Sequence, residues 1–387
     1  MGVVNRKTKE KNPVLAICYD FDKTLSPDDM QAQGYIQAVY DGDVPSFWKE
    51  SNAMAEKYDM DTNLAYMYKM VHEARGRIVL TRKSLEEYGS KVKLFPGVET
   101  WFERINKYGE GKGVLVEHYI ISSGLKEMIE GTSVAKSGAF TKIYASSFMF
   151  DEKDVPIWPA QVVNFTNKTQ FLFRIEKGIL DVNDSGVNDS FLPEEYRVPF
   201  RNIVYIGDSD TDIPCMKLVN SYGGHSIGVY NNDTLDKSKV YKMLNDNRIK
   251  YFAPADYSPR SELDELVKAI VDRTATNELL ENIHYKCKEE WTNNDQQKDD
   301  IKRRKMNLIL SLNGSGSFAS THAIIKELVS VEEWDADECE MLIDIALNNT
   351  QVGYILNDFD VKSFYKKIIN KVQPPTIKTK EIESHFE

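Results

Sequence analysis

Two aspartates flank a single residue in Asp20-Phe21-Asp22-Lys23-Thr24, directly after the apolar run VLAICY at 14–19. Carboxylates that close raise each other's pKa, so the pair is costly without a cationic partner. A hard cation such as Mg²⁺ relieves the cost, because it takes oxygen ligands and accepts one or two carboxylates together with waters. A second acidic set, Gly207-Asp208-Ser209-Asp210-Thr211-Asp212, follows the run IVYI at 203–206. Between the two, Ser122 and Ser123 follow HYII at 118–121. An Asp-rich turn or a helix N-cap would account for either acidic set alone. It does not account for the ordered series, in which each reactive group ends an apolar run and a lysine precedes a helix.

These groups need strands to hold them. Short apolar runs bounded by polar turn residues read as strands buried on both faces. Similar runs stand at 142–145, 226–230 and 251–253, and helical patterns lie between, as at 98–108 after Pro96-Gly97. The alternation predicts an α/β fold, a doubly wound Rossmann-like parallel sheet. Ligands of such sheets bind at the carboxyl ends of the strands, where Asp20, Asp22, Ser122, Asp208 and Asp212 stand. Residues 26–117 read as a helical insertion and 150–165 as a hairpin. The last sheet-covering helix is expected at 263–273, followed by a charged connecting helix over 275–310. LNGSGSFAS at 312–320 reads as a flexible joint. Residues 311–387 read as a small C-terminal all-helical module with a loose tail from Val372, and Asp358-Phe359-Asp360 within it as a helix junction.

The series resembles the haloacid dehalogenase superfamily of aspartate-nucleophile phosphohydrolases. Asp20, Asp22 and Thr24 match its first motif, DxDx[TV]; Ser122 matches the second; Asp208 and Asp212 match the fourth, GDxxxD. Its third motif, a lysine with little context, is met by Lys168, with Lys177 as the alternative. The resemblance implies a core over 12–25 and 118–274, with 26–117 as a helical cap similar to that of phosphoserine phosphatases. It implies Asp20 as nucleophile and Asp22 as acid and base. It implies Mg²⁺ at Asp20, Asp22 and Asp208, with Asp22 acting through its main-chain carbonyl. Ser122, Ser123 and Lys168 would bind phosphate, with Thr24 and Asp212 in support. Phosphoserine itself is not assigned: Asp29 stands where those enzymes carry Glu, and Ser122-Ser123-Gly124 where they carry SGG. Asp28 and Asp29 are candidates for an amine on the substrate. The expected activity is Mg²⁺-dependent hydrolysis of a small phosphorylated metabolite through a phospho-aspartyl intermediate. The alternatives are a phosphotransferase or phosphomutase on the same fold, and a regulatory or sensor protein whose C-terminal module takes a protein partner or self-associates.

Composition bounds these readings. The 387 residues hold 60 acidic and 49 basic side chains, a net charge of −11, which disfavours nucleic acid and anionic membranes as partners. With 41% hydrophobic and 28% charged residues, the chain is neither collagen-like nor wholly disordered. The four cysteines, Cys18, Cys215, Cys287 and Cys339, form no CxxC pair, so a structural zinc site is not expected and a reducing, cytoplasmic setting is. No apolar run nears the ~20 residues of a membrane span. The polar start MGVVNRKTKEKNP is no secretory signal, and Arg6 stands where a myristoylated Gly2 would need Ser or Thr. The basic cluster 302–305 is expected on a solvated helix face. His118 is expected in the core.

Overall fold

The computed structural model describes residues 6, 9–192, 194–234, 236–294, 300–331 and 333–386. The start at Met1-Gly2 and residues 295–299 of the expected connecting helix lie outside the described residues. Seven strands form one sheet: β1 (Val14–Tyr19), β2 (Leu115–Leu125), β3 (Lys142–Phe150), β4 (Pro156–Gln161), β5 (Ile203–Gly207), β6 (His225–Tyr230) and β7 (Tyr251–Pro254). Their order is β4-β3-β2-β1-β5-β6-β7. All pairings are parallel except β3 with β4, the expected hairpin. Pro156 and Pro159 suit β4 to the edge, because proline has no N–H for a second neighbour.

The centre follows from β1. All six of its residues are buried. Side chains alternate between faces, so Val14, Ala16 and Cys18 enter one apolar cluster while Leu15, Ile17 and Tyr19 enter another. Cys18 lies beside Tyr119 of β2 and Tyr205 of β5. That register brings the carboxyl ends of the three strands together.

The insertion is helical as expected, with helices Val44–Tyr58, Thr62–Ala74 and Arg82–Gly89. Its Met30, Tyr66 and Met67 join the Leu15 cluster. The 26–117 boundary needs correction at its far end. Helix Val98–Gly111 covers the sheet: Trp101 donates from Nε1 to the Tyr19 hydroxyl (2.7 Å), and Arg104 and Tyr108 bond Asp264 and Asp272. Strand β2 also starts three residues before position 118, at Leu115. Helical periodicity is the same for a cap helix and a sheet-covering one, so sequence could not separate them.

The chain divides into two compact units, one of residues up to Asp184 with Arg197–Asn277, the other of Ser185–Tyr196 with Glu278–Glu387. The expected core over 118–274 therefore gives up 185–196, whose Leu192 packs on the apolar cluster of the second unit. The helices expected at 263–273 and 275–310 begin as one, Glu262–Asn294. The next, Asp300–Asn313, does more than connect: Leu308, Ile309 and Leu312 lie in the second unit's core. Residues 312–320 are no joint. Ser315 and Thr321 are buried and bonded to each other, Ser317 caps helix Phe318–Val329, and the Asn349 amide bonds the carbonyls of Leu312, Asn313 and Ser315. The tail is not loose either, for it forms helix Ile377–Ser384 and buries Ile382. Asp358 precedes helix Phe359–Lys371, the junction expected there. In the basic cluster, Lys302 and Lys305 pair with Asp335 and Glu338. Among the described residues, no helix is long and apolar enough to cross a membrane.

Candidate active site

Asp20 follows β1 and Asp208 follows β5, and the Asp20 N–H donates to the Ile206 carbonyl (3.0 Å). Carboxylate oxygens of Asp20, Asp208 and Asp212 lie within 4.8 Å of one another. Gly207 leaves room for this: a Cβ there would lie 2.5 Å from Asp212 Oδ2. Hard oxygen donors gathered so closely, with Asp20 and Asp208 the ones left open, fit a divalent cation of the Mg²⁺ type. The Asp22 carboxylate is not in that group. It turns to the insertion, where its Oδ1 accepts the Met30 N–H (2.8 Å).

Lys168 completes the centre. It lies wholly buried between the 3₁₀ turn Phe165–Lys168 and helix Thr169–Lys177. Its Nζ donates to Asp212 Oδ1 at 2.8 Å and stands 3.5 Å from Asp20 Oδ1. Lys168, not Lys177, is the lysine that the fold brings to these carboxylates. Asp212 is saturated: besides Lys168 it accepts from the Tyr205 hydroxyl (2.8 Å) and from Ser209 N and Oγ (3.0 Å each). It thus holds Lys168 rather than standing open to a ligand.

Charge is under-compensated here. Burial, then the charge of Asp212, push Asp20 up to about 7 against the pull of Lys168. Burial also pushes Asp208 up to about 6, although Lys239 opposes it from 3.3 Å. Asp22 is held well above the carboxylate range by burial, then by Asp29 and Asp20. Such shifts within one cluster of carboxylates suit a place where a cation or a reacting group belongs.

The serines and Thr24 lie at the same end. Ser122 is fully buried, and its Oγ accepts the Gly124 N–H (3.1 Å). The Ser123 carbonyl accepts from the Tyr66 hydroxyl of the insertion (2.8 Å). Ser123 Oγ and Thr24 Oγ1 are buried without a hydrogen-bond partner. Buried hydroxyls rarely stay unpaired, so these two invite a polar ligand. Asp29 pairs with Lys23 at 2.9 Å, and Asp28 Oδ1 accepts the Asp29 N–H.

Tyr66 and Lys239 had no signal in the sequence, since nothing local distinguishes them from core or surface residues, and Tyr205 and Ser209, though within IVYI and GDSDTD, were not marked there as partners of Asp212. Elsewhere the expectation that His118 lies in the core stands. Cys18 and Cys215 are buried and free. His118 is buried between the Tyr19 hydroxyl and Asn106, and burial pushes it down to about 3.

A family model described as haloacid dehalogenase-like hydrolase matches residues 17–217. An uncharacterized protein of Borreliella burgdorferi is 26% identical over 285 residues, covering 66% of this chain and 95% of that protein. Among solved structures, a HAD family hydrolase from Salmonella enterica serovar Typhi is similar at 15% identity and a TM-score of 0.44, over 68% of this chain and 73% of that one. A probable phosphoserine phosphatase from Vibrio cholerae is similar at 11% identity and a TM-score of 0.43, over 71% and 69%.

Proposed function

The chain belongs to the haloacid dehalogenase-like hydrolase family, and on that premise we propose that it is a Mg²⁺-dependent phosphomonoesterase with Asp20 as its nucleophile. The observation that carries the reading is the meeting of Asp20, Asp208 and Asp212 around the buried Lys168. A merely structural turn has no use for three carboxylates gathered beside a buried ammonium.

In the first step an Asp20 oxygen attacks phosphorus, and the bond to the ester oxygen breaks. The Asp22 carboxyl gives its proton to the departing alkoxide. Its raised pKa suits this, since an acid must hold its proton near the working pH. In the second step a water attacks the aspartyl phosphate. Asp22 takes the water's proton, and phosphate and free Asp20 are regenerated. Lys168 and the Ser122 hydroxyl bind the phosphoryl oxygens, which makes the step chiefly one of positioning and charge neutralisation. Mg²⁺ would be held by the Asp20 and Asp208 carboxylates and the Asp22 carbonyl, and would neutralise charge on the phosphoryl group. The near-complete burial of Asp20, Ser122 and Lys168 favours a small phosphorylated metabolite over a polymer.

The test is release of inorganic phosphate from a panel of phosphomonoesters, with and without Mg²⁺. Turnover that needs Mg²⁺ and drops at least about 10³-fold in Asp20→Asn supports the reading. Equal turnover in Asp20→Asn, with the fold intact, overturns it.

A further inference from the structure

Among the described residues, Asp208 is the one of the three clustered carboxylates that pairs with a half-exposed cation. Lys168 is wholly buried and serves Asp20 and Asp212. Lys239 lies on helix Ser238–Asn245, in the chain that follows the carboxyl end of β6, beside β5. Its Nζ stands 3.3 Å from Asp208 Oδ2, while the side chain is 46% exposed. Lys23, also half-exposed, is already paired with Asp29. One ammonium is thus built into the site, and a second leans in from solvent.

We propose that Lys239 is a displaceable counter-ion. Its ammonium occupies Asp208 when no divalent cation is bound, and it withdraws to solvent when the cation takes that carboxylate. Lys239 thereby sets the cation affinity of the site. The physical basis is simple. A divalent ion among oxygens that lie within 4.8 Å of one another would stand a few ångströms from the ammonium at Asp208. Like charges at that range repel appreciably even in water. Both also compete for the Asp208 carboxylate. Lys239 can leave cheaply because a flexible, half-exposed lysine is easily rehydrated. Lys168 cannot, for it is buried between two carboxylates. The inference rests on the reading of the cluster as a Mg²⁺ site.

The test is calorimetric titration of Mg²⁺ into the full chain at fixed pH and ionic strength. Wild type is compared with Lys239→Met and Lys239→Arg. The expected result is a Kd about tenfold lower in Lys239→Met, with Lys239→Arg near wild type. Wild type that binds Mg²⁺ while Lys239→Met binds it no more tightly overturns the inference alone. Wild type that binds no Mg²⁺ overturns the Mg²⁺ reading, and this inference with it. Thermal melting separates a counter-ion from a packing residue. Lys239→Met should melt below wild type without Mg²⁺, and the gap should close at saturating Mg²⁺. An equal gap in both conditions also overturns the inference.

Discussion

Lys168 Nζ lies 2.8 Å from Asp212 Oδ1, and neither side chain reaches solvent. Forty-four residues separate them in sequence. The bond does two things. It gives Asp212 a partner without which its burial would be prohibitive. It also fixes the ammonium 3.5 Å from Asp20, where a phosphoryl oxygen would need it.

Lys168→Met is therefore expected to harm both stability and activity. Removing one partner of a buried pair costs about 3–5 kcal/mol. The sign with pH follows from Asp20, already pushed up to about 7 with Lys168 present. Without the lysine its folded-state pKa rises further above the unfolded one. The folded mutant then keeps a proton that the folded wild type releases near pH 7, so the deficit grows as pH rises above about 7. Urea unfolding of mutant and wild type at about pH 5 and pH 8 checks this. A deficit that does not grow with pH rules it out.

Gly124 faces two site residues. A Cβ there would stand 2.4 Å from Met30 Cε and 2.9 Å from Asp22 Oδ2. Gly124→Ala should displace the Asp22 carboxyl and lower kcat by about 10²-fold, the scale set by small misplacements of a reacting group. The thermal midpoint should move little, because Met30 ends in a flexible thioether. Adding Met30→Ala should recover part of the loss. No recovery would show that the Met30 side chain is not what the new methyl displaces.

Glu176 gives a pH effect far from the chemistry. Burial pushes its carboxyl from 4.5 up to about 8, against a weaker pull from Lys177. A raised folded-state pKa means that stability falls as pH rises from about 4.5 to about 8 and is flat beyond. Glu176→Gln should flatten that part of the profile and gain on wild type most at about pH 8. The check is the urea midpoint across that range, and parallel profiles would exclude Glu176 as the source.

The second unit has its own apolar cluster, with Leu342 fully buried in it. Leu342→Ala should cost that unit about 2–5 kcal/mol. Two units with separate cores should melt in two transitions, of which only one moves. Calorimetry reads this directly. A common shift of both transitions would show that the units unfold together.

Much of this was already legible along the chain. VLAICY, HYII and IVYI were readable as strands because both faces of a central strand are apolar, and each run ends in the polar residues that the fold sets at one edge. The order of the reactive groups, Asp20, Asp22, Ser122 and Asp208, is likewise a property of the chain. The tertiary structure alone decided which groups meet through space. It chose Lys168 over Lys177, made Asp212 a holder of that lysine, and set Lys239 beside Asp208 and Tyr66 beside Ser123. It also moved helix Val98–Gly111 out of the insertion and residues 185–196 into the second unit. The reason is physical. Strand and helix patterns arise from neighbours a few residues apart, whereas burial and charge pairing arise from neighbours tens of residues apart, and local sequence carries no record of those.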